Sequence, residues 1–598
     1  MNSETKNRRV ITVILLLAAV AVIIYLLSLT LAYPLFQNSR LADPLAELHS
    51  LFPLHYIAIG IMALLGGACF VYRIENRGIH LLLLLLLAIM LWYTPYYLAE
   101  FTRPPDGPRN IGVALQIPWV LHGISFPNAG YGLNFPSSYI LDYTLLNVTG
   151  IENLSYLHLF PFISVCLFAL LCYTFAAKLF SPLAAFTTVL LAMIGLHYIV
   201  FHSSAHVVGM LLLMTALVLL FRQDTASRVL TFLAITAVVT SHPISPLILA
   251  VFLAAALIAY FSRKAVKSQV VVTAMLVLCI GGWFIWPTLP LAASGVPSGM
   301  PSLPPGITAV PIEEAPVSEE ASAWAQELQG HIFPAEFTTT KLYLLGTPFI
   351  YEGIYNLNKG IYFLYALLAV AAIGYIFYRS RSRWKATRDF LKKLGGLNRG
   401  EIFMLVSAPL FIMLTILLGE KGHVLIERGL TFTILALAGV VASITTRVYE
   451  PAAIVVKRFI GAAMVIIILF LTLSFPLVNY SIDAYASFPI SEEAGLKFLA
   501  NYAPLDTKTL TSTTGYQIAL YCPYILTPVP LRSLSSLDRG DFFAFRLTGY
   551  YYVAMREELS FEDNWFTRYQ SVVNTSRDFD RIYSSPTTAI FVKKQSDG

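Results

Sequence analysis

The chain has 598 residues, of which 57% are hydrophobic and only 12% charged, with a formal net charge of +6 and a mean hydropathy of +0.69. A soluble domain carries about 25% charged residues, so these figures exclude a soluble globular protein and describe a multi-pass membrane protein. The basic excess calls for no nucleic-acid partner, because lysine and arginine accumulate on the cytoplasmic loops of such proteins.

About thirteen runs approach the roughly 20 apolar residues that a spanning helix needs. They lie near 10–32, 52–72, 79–96, 157–176, 183–201, 206–221, 227–241, 245–261, 270–289, 360–378, 402–419, 429–446 and 459–478. The seventh is short enough for a broken or shallow helix. The first predicts a retained span, since its apolar region is long and no small-x-small cleavage site follows it. Charge tests the count. If the spans alternate, Arg8 and Arg9, Arg73 and Arg77, Lys178, Arg222 and Arg228, Arg263 and Lys264, the run from Arg379 to Arg399, and Arg447 with Lys457 all fall on one side. The positive-inside rule makes that side the cytoplasm. The expected location is therefore the cytoplasmic membrane, with the N-terminus cytoplasmic and the C-terminal segment extracytoplasmic.

The predicted fold is an all-α transmembrane domain over 1–480, with outer loops at 97–156 and 290–359, followed by a small extracytoplasmic α/β or α+β domain over 481–598. The sequons at Asn147, Asn153, Asn479 and Asn574 fall outside on this topology, and N-x-S/T acceptors can also arise by chance. Four of the five cysteines lie in spans and Cys522 stands alone outside, so no disulfide framework is expected.

Taken along the chain, the first outer turn offers Asp43 and Glu47. The loop from Tyr97 to Ser155 comes next and holds Glu100, Arg103, Asp106 and Arg109 within a few residues. A carboxylate between arginines at a membrane surface can take a proton from an acceptor hydroxyl, or help hold a divalent metal on a phosphate. Arginine's planar fork of donors matches phosphate oxygens. The plainer reading is a solvated salt-bridge cluster around the turn sequence PPDG. Further on, His202 and His206 stand four apart, near His197 and His242; on a continuous helix both would share a face and could bind a metal. Such histidines also serve as hydrogen-bonding groups near backbone or headgroups.

The segment after Trp286 is Pro- and Gly-rich and reads as a linker or a lid. The cytoplasmic run RSRSRWKATRDFLKK reads as an orientation signal with affinity for anionic lipid. Between the eleventh and twelfth spans, Lys421, His423, Glu427 and Arg428 stand at a helix mouth, where an arginine either binds a lipid phosphate or snorkels to the interface. In the C-terminal segment, SEEAGLKFLANYAP predicts a helix capped by Ser491 and ended by Pro504, and TKTLTST and TTAIFVKK predict strands.

Several strings taken together, FTRPPDGPRNIGVA, FPSSYILDYTLLNVTGI, HSSAHVVGMLLLMTAL, SHPISPLIL and IERGLTF, resemble archaeal-type members of the GT-C superfamily of membrane glycosyltransferases. The resemblance covers most of the chain. It implies a donor sugar carried on a polyprenyl phosphate or diphosphate, an acceptor glycan, lipid or protein, membrane lipid as surroundings, and no nucleic acid. It implies a catalytic acid in the first long outer loop, for which Asp106 is the matching position and Glu100 the next, with Asp43 in reserve. Arg103, Arg109 and Arg428, with Lys421, His423 and Glu427 beside the last, are then the groups for the lipid phosphate. The paired acidic motif of many members is missing from this loop, so no cofactor is assigned and a divalent metal such as Mg or Mn stays open, with His202 and His206 as its candidate ligands. The rival functions are a lipid-linked glycan polymerase or ligase, a transporter or flippase, and a non-catalytic glycan-lipid-binding protein; the scarcity of charge inside the spans argues against transport.

Overall fold

The computed structural model describes residues 3–39, 46–98, 107, 110–115, 136–195, 201–222, 224–242, 244–261, 266–285, parts of 357–374, 398–419, 423–450, 452–479 and five strands between 509 and 593. The leading candidates Glu100, Arg103, Asp106, Arg109 and Lys421, and also Asp43, lie outside the described residues.

Helices dominate where the sequence is apolar. They run α1 Ser3–Ser39, α2 Ala46–Leu51, α3 Leu54–Val71, α4 Arg77–Ala88 and α5 Thr94–Leu98, then α6 Pro136–Thr149, α7 Asn153–Leu179, α8 Pro182–Gly195, α9 Ala205–Leu220 and α10 Thr225–Val239. The remainder are α11 Ser245–Ala256, α12 Val266–Ile285, α13 Arg399–Gly419, α14 His423–Tyr449 and α15 Ile454–Asn479. Six helical stretches among the described residues are long and apolar enough to cross a membrane: Arg8–Phe36, Leu54–Val71, Arg77–Leu98, Ser155–Leu179, Thr431–Tyr449 and Ile454–Leu477. Each coincides with a run read from the sequence. Shorter apolar helices occupy the fifth to ninth runs, and α13 the eleventh.

With hydrocarbon outside as well as inside the bundle, helix association rests on close packing rather than on apolar burial. Glycines on α3 permit it. A side chain at Gly67 would meet Val465 of α15 at 2.7 Å, and one at Gly66 would meet Leu190 of α8 at 2.8 Å. The helices α13 and α14 form the most extensive pair, and α8 packs on α14 in turn. A π-helical turn, Ile89–Tyr93, joins α4 to α5. Inside it Trp92 is buried against Phe168 and Phe201, with ring centroids 5.8 and 5.0 Å away.

Helix α7, 27 residues long, extends about 40 Å at 1.5 Å per residue and joins two differently built ends. Where it stops, Leu179 lies under the first turn of α13, so close that a side chain at Gly400 would sit 2.5 Å from the Leu179 carbonyl. This end holds the ionic contacts. Arg73 pairs with Glu450 at 2.8 Å, and Tyr449 donates to the Val71 carbonyl at 3.0 Å. Asn398 and Glu401 cap α13 reciprocally: the Glu401 N–H donates to Asn398 Oδ1 at 2.7 Å and the Asn398 N–H to Glu401 Oε2 at 2.9 Å, the arrangement that satisfies two orphan donors of a helix start. The same Glu401 carboxylate accepts from Ser443 Oγ at 2.7 Å and from the Arg447 guanidinium.

In the C-terminal segment five strands form one mixed sheet in the order β2-β1-β3-β5-β4, with β1 Thr509–Thr511, β2 Val529–Pro530, β3 Phe542–Arg546, β4 Phe579–Ser584 and β5 Thr588–Lys593. β1 lies parallel to β2 and β3, while β5 is antiparallel to β3 and β4. β1 and β5 fall inside the two stretches read as strands from sequence.

Candidate functional site

Among the described residues, the other end of α7 is joined by hydroxyl and amide contacts rather than ion pairs. Its centre is Asp142, on α6. Pro136 occupies the first helical position, where a missing N–H costs nothing. From there the buried face carries Ser138, Tyr139, Asp142 and Leu146, a helical spacing of three and four residues. The opposite face exposes Ile140, Leu141 and Val148. The polarity is therefore inverted relative to a soluble surface helix: the acid points in and the aliphatic residues point out, as suits a helix against lipid.

The Asp142 carboxyl is fully buried and held by two hydroxyls. Tyr156, at the start of α7, donates to Oδ1 at 2.5 Å, and Ser203, in the turn before α9, donates to Oδ2 at 2.8 Å. Among the described residues no cation pairs with it. Burial pushes its pKa up to about 6, and the hydrogen bonds from Tyr156 and Ser203 only partly offset the rise. Desolvation penalises the charged form, while hydrogen bonds to that form favour it.

The network extends to the first long loop. Asn110 Nδ2 donates to the Ser203 carbonyl at 2.6 Å, and Tyr139, one turn before Asp142, donates to Asn110 Oδ1 at 3.4 Å. Asn110 is itself buried, and the helical turn it opens packs Val113 and Ala114 against Tyr139 and Tyr143. Gly107 is buried too, with Leu157 of α7 where a side chain would be, 3.2 Å from that position. The start of α6 is fixed on its other side. The Ser137 N–H donates to the Thr240 carbonyl at 3.3 Å, and the hydroxyls of Ser137 and Thr240 bond each other.

The histidines border this cluster. Helix α9 begins only at Ala205, because Ser204 accepts the Val207 N–H at 3.3 Å and caps it. His202 therefore precedes the helix, and the four-residue spacing to His206 does not place the two rings on one helical face. His206 meets His242 instead, with ring centroids 5.2 Å apart. The described residues bring no three His, Cys, Asp or Glu side chains together as a metal group. Of the second candidate group, His423, Glu427 and Arg428 lie in the first turns of α14.

Sequence reading passed over Asp142, although it lies inside the string FPSSYILDYTLLNVTGI. The signal that marks it is a single carboxylate in a helical stretch with no other acid or base, a functional flag near a membrane; clustered charge is not part of that signal.

No family model matches the sequence, and no curated protein matches it. Among solved structures the chain is similar to ArnT from Cupriavidus metallidurans in the apo state, with a TM-score of 0.46 and 9% sequence identity over 85% of this chain and 97% of that one.

Proposed function

We propose that the chain is a GT-C-like membrane glycosyltransferase that moves a sugar from a polyprenyl-phosphate or diphosphate donor to an acceptor on the outer face of the cytoplasmic membrane. The observation that carries this reading is the burial of Gly107 and Asn110 against α7 and α6. These two residues bracket Arg109 and follow Asp106 directly, so the loop richest in candidate chemistry is tied to the helix bundle. A loop serving only as a solvated connection needs no buried asparagine bonded to two other segments.

In this reading the α6 end is extracytoplasmic and the Arg73–Glu450 end cytoplasmic, as the alternation of basic clusters requires. Thirteen spans surround a groove for the polyprenyl tail, and residues 481–598 form an accessory domain over the acceptor. An acceptor hydroxyl or amide attacks the anomeric carbon, the bond from that carbon to the lipid phosphate oxygen breaks, and the phosphate leaves with the electron pair. Asp106, with Glu100 as its alternate, takes the acceptor's proton. Arg103, Arg109 and Arg428 stabilise the charge that grows on the leaving phosphate. Chelation of the assay tests for a dependence on Mg or Mn.

The test uses the full chain in proteoliposomes with a radiolabelled polyprenyl-phosphate hexose. Transfer of label, or slow release of polyprenyl phosphate to water, is expected from the native chain and should be lost in Asp106→Asn at equal expression. Release that persists undiminished in Asp106→Asn removes the proposed base. No turnover of either phosphate or diphosphate donors, with solute movement across sealed vesicles, would replace the reading with a transporter.

A further inference from the structure

Asp142 is in the wrong place for a structural ion and too well connected for an accident. Its two oxygens bind α6 to α7 through Tyr156 and to the turn before α9 through Ser203. Ser203 then holds Asn110, and Asn110 is held in turn by Tyr139, three residues before Asp142 on the same helix. The bonds close a ring from Asp142 through Ser203, Asn110 and Tyr139 back to Asp142 along α6. We propose that Asp142 is a positioning residue: through Ser203 and Asn110 it fixes the start of the helical turn 110–115, the segment that follows Asp106 and Arg109 in the sequence. The inference rests on the glycosyltransferase reading for what the loop does, and on the ring alone for how the loop is held.

Ser203 joins the two contacts through different atoms: its hydroxyl donates to Asp142 Oδ2 at 2.8 Å, and its backbone carbonyl accepts from Asn110 Nδ2 at 2.6 Å. A carboxylate offers only acceptors, and both described partners of Asp142 are O–H donors, so seating the Ser203 hydroxyl also seats the carbonyl that receives Asn110.

The titratable groups on the elements packed here are Tyr139 and Tyr143 on α6, and Glu152, Tyr156 and His158 on or beside the start of α7. His202 and His206 stand at the start of α9, with His242 against His206. Among the described residues of α6, α7, α9 and the 107–115 segment, the single cation is Lys178, at the far end of α7. A carboxylate meant only to lock helices would be served better by a cation, as Glu401 is.

Two measurements decide the matter. The first is hydrogen–deuterium exchange on the full chain in lipid nanodiscs. Amides in 107–115 should exchange at least about tenfold faster in Asp142→Asn and Asn110→Ala than in the native chain, with α13 and α14 unchanged. Ser203→Ala should behave like Asp142→Asn and covers the case in which the latter fails to fold. Unchanged protection at 107–115, or a loss spread evenly over the bundle, overturns the proposal. The second is donor turnover. In Asp142→Asn kcat should be about tenfold lower with KM steady, and the double variant with Asn110→Ala should be no worse than either single one, as shared-pathway residues require. An undiminished kcat in Asp142→Asn overturns the positioning role and leaves the glycosyltransferase reading standing. Absence of turnover in the native chain sinks that reading, and exchange at 107–115 still decides the anchor.

Discussion

Glu401 and Asp142 are both sealed from solvent, near opposite ends of α7, and the chain satisfies them by different means. Glu401 has a backbone N–H, a hydroxyl and a guanidinium. Asp142 has two hydroxyls. Ionic and backbone partners make the contact a structural joint. Hydroxyl partners are neutral, reorient freely and leave the proton negotiable. The same chemical group thus becomes a rivet at one end of the bundle and an adjustable support at the other, and the neighbours alone make the difference.

Variants that exchange these characters test the contrast, and removing the rivet should matter most. Glu401→Ala takes away a helix cap and the carboxylate that Arg447 meets, so a loss of about 3 kcal/mol is expected, read as a fall in the thermal midpoint of the purified protein. Asp142→Asn should alter the pH dependence of stability instead of its level. The folded-state pKa of Asp142 lies above the usual value, so its neutral form favours folding: that contribution is whole below about pH 4 and is lost as pH rises through about 6. Relative to Asp142→Asn, the native chain should therefore lose up to about 3 kcal/mol between pH 4 and pH 8, at 1.36 kcal/mol per unit. A flat difference across that range would equate the two carboxylates.

Smaller effects sharpen the picture. Tyr156→Phe removes a bond that favours the ionised Asp142, so it should cost about 1 kcal/mol and move the transition to higher pH. A midpoint that stays or falls would show that Tyr156 does not hold the carboxylate. Smallest of all is the exposed pair of Arg73 with Glu450. Arg73 has φ 54°, a left-handed conformation that glycine adopts without penalty. Arg73→Ala should cost at most about 1 kcal/mol, and Arg73→Gly less than that, because it relieves the backbone while losing the same weak pair.

Much of the helical membrane architecture was legible because the apolar runs are long. All six candidate spans start and stop within a few residues of the runs that announced them. The candidate site was legible only in part. The sequence directs attention to the loop after Tyr97, and Gly107 and Asn110 show that loop engaged with the bundle, while Asp106, Arg103 and Arg109 lie outside the described residues. Asp142 escaped because its meaning comes from Tyr156 and Ser203, neither of which carries charge and the second of which is 61 residues away. The histidine spacing does not fall on one helix because Ser204 is a good cap: one hydroxyl at the right place starts α9 after His202.

The ring also dictates an order of events during synthesis. Asn110 and the serine that receives its side chain are 93 residues apart, so the loop can be fastened only after α9 has begun to emerge, about 5–20 s later at ordinary elongation rates. The opposite end waits longer still, since Arg73 and Glu450 are separated by 377 residues. A nascent chain stalled between these points would carry a finished anchor at the α6 end on a bundle whose Arg73–Glu450 latch had not yet been made.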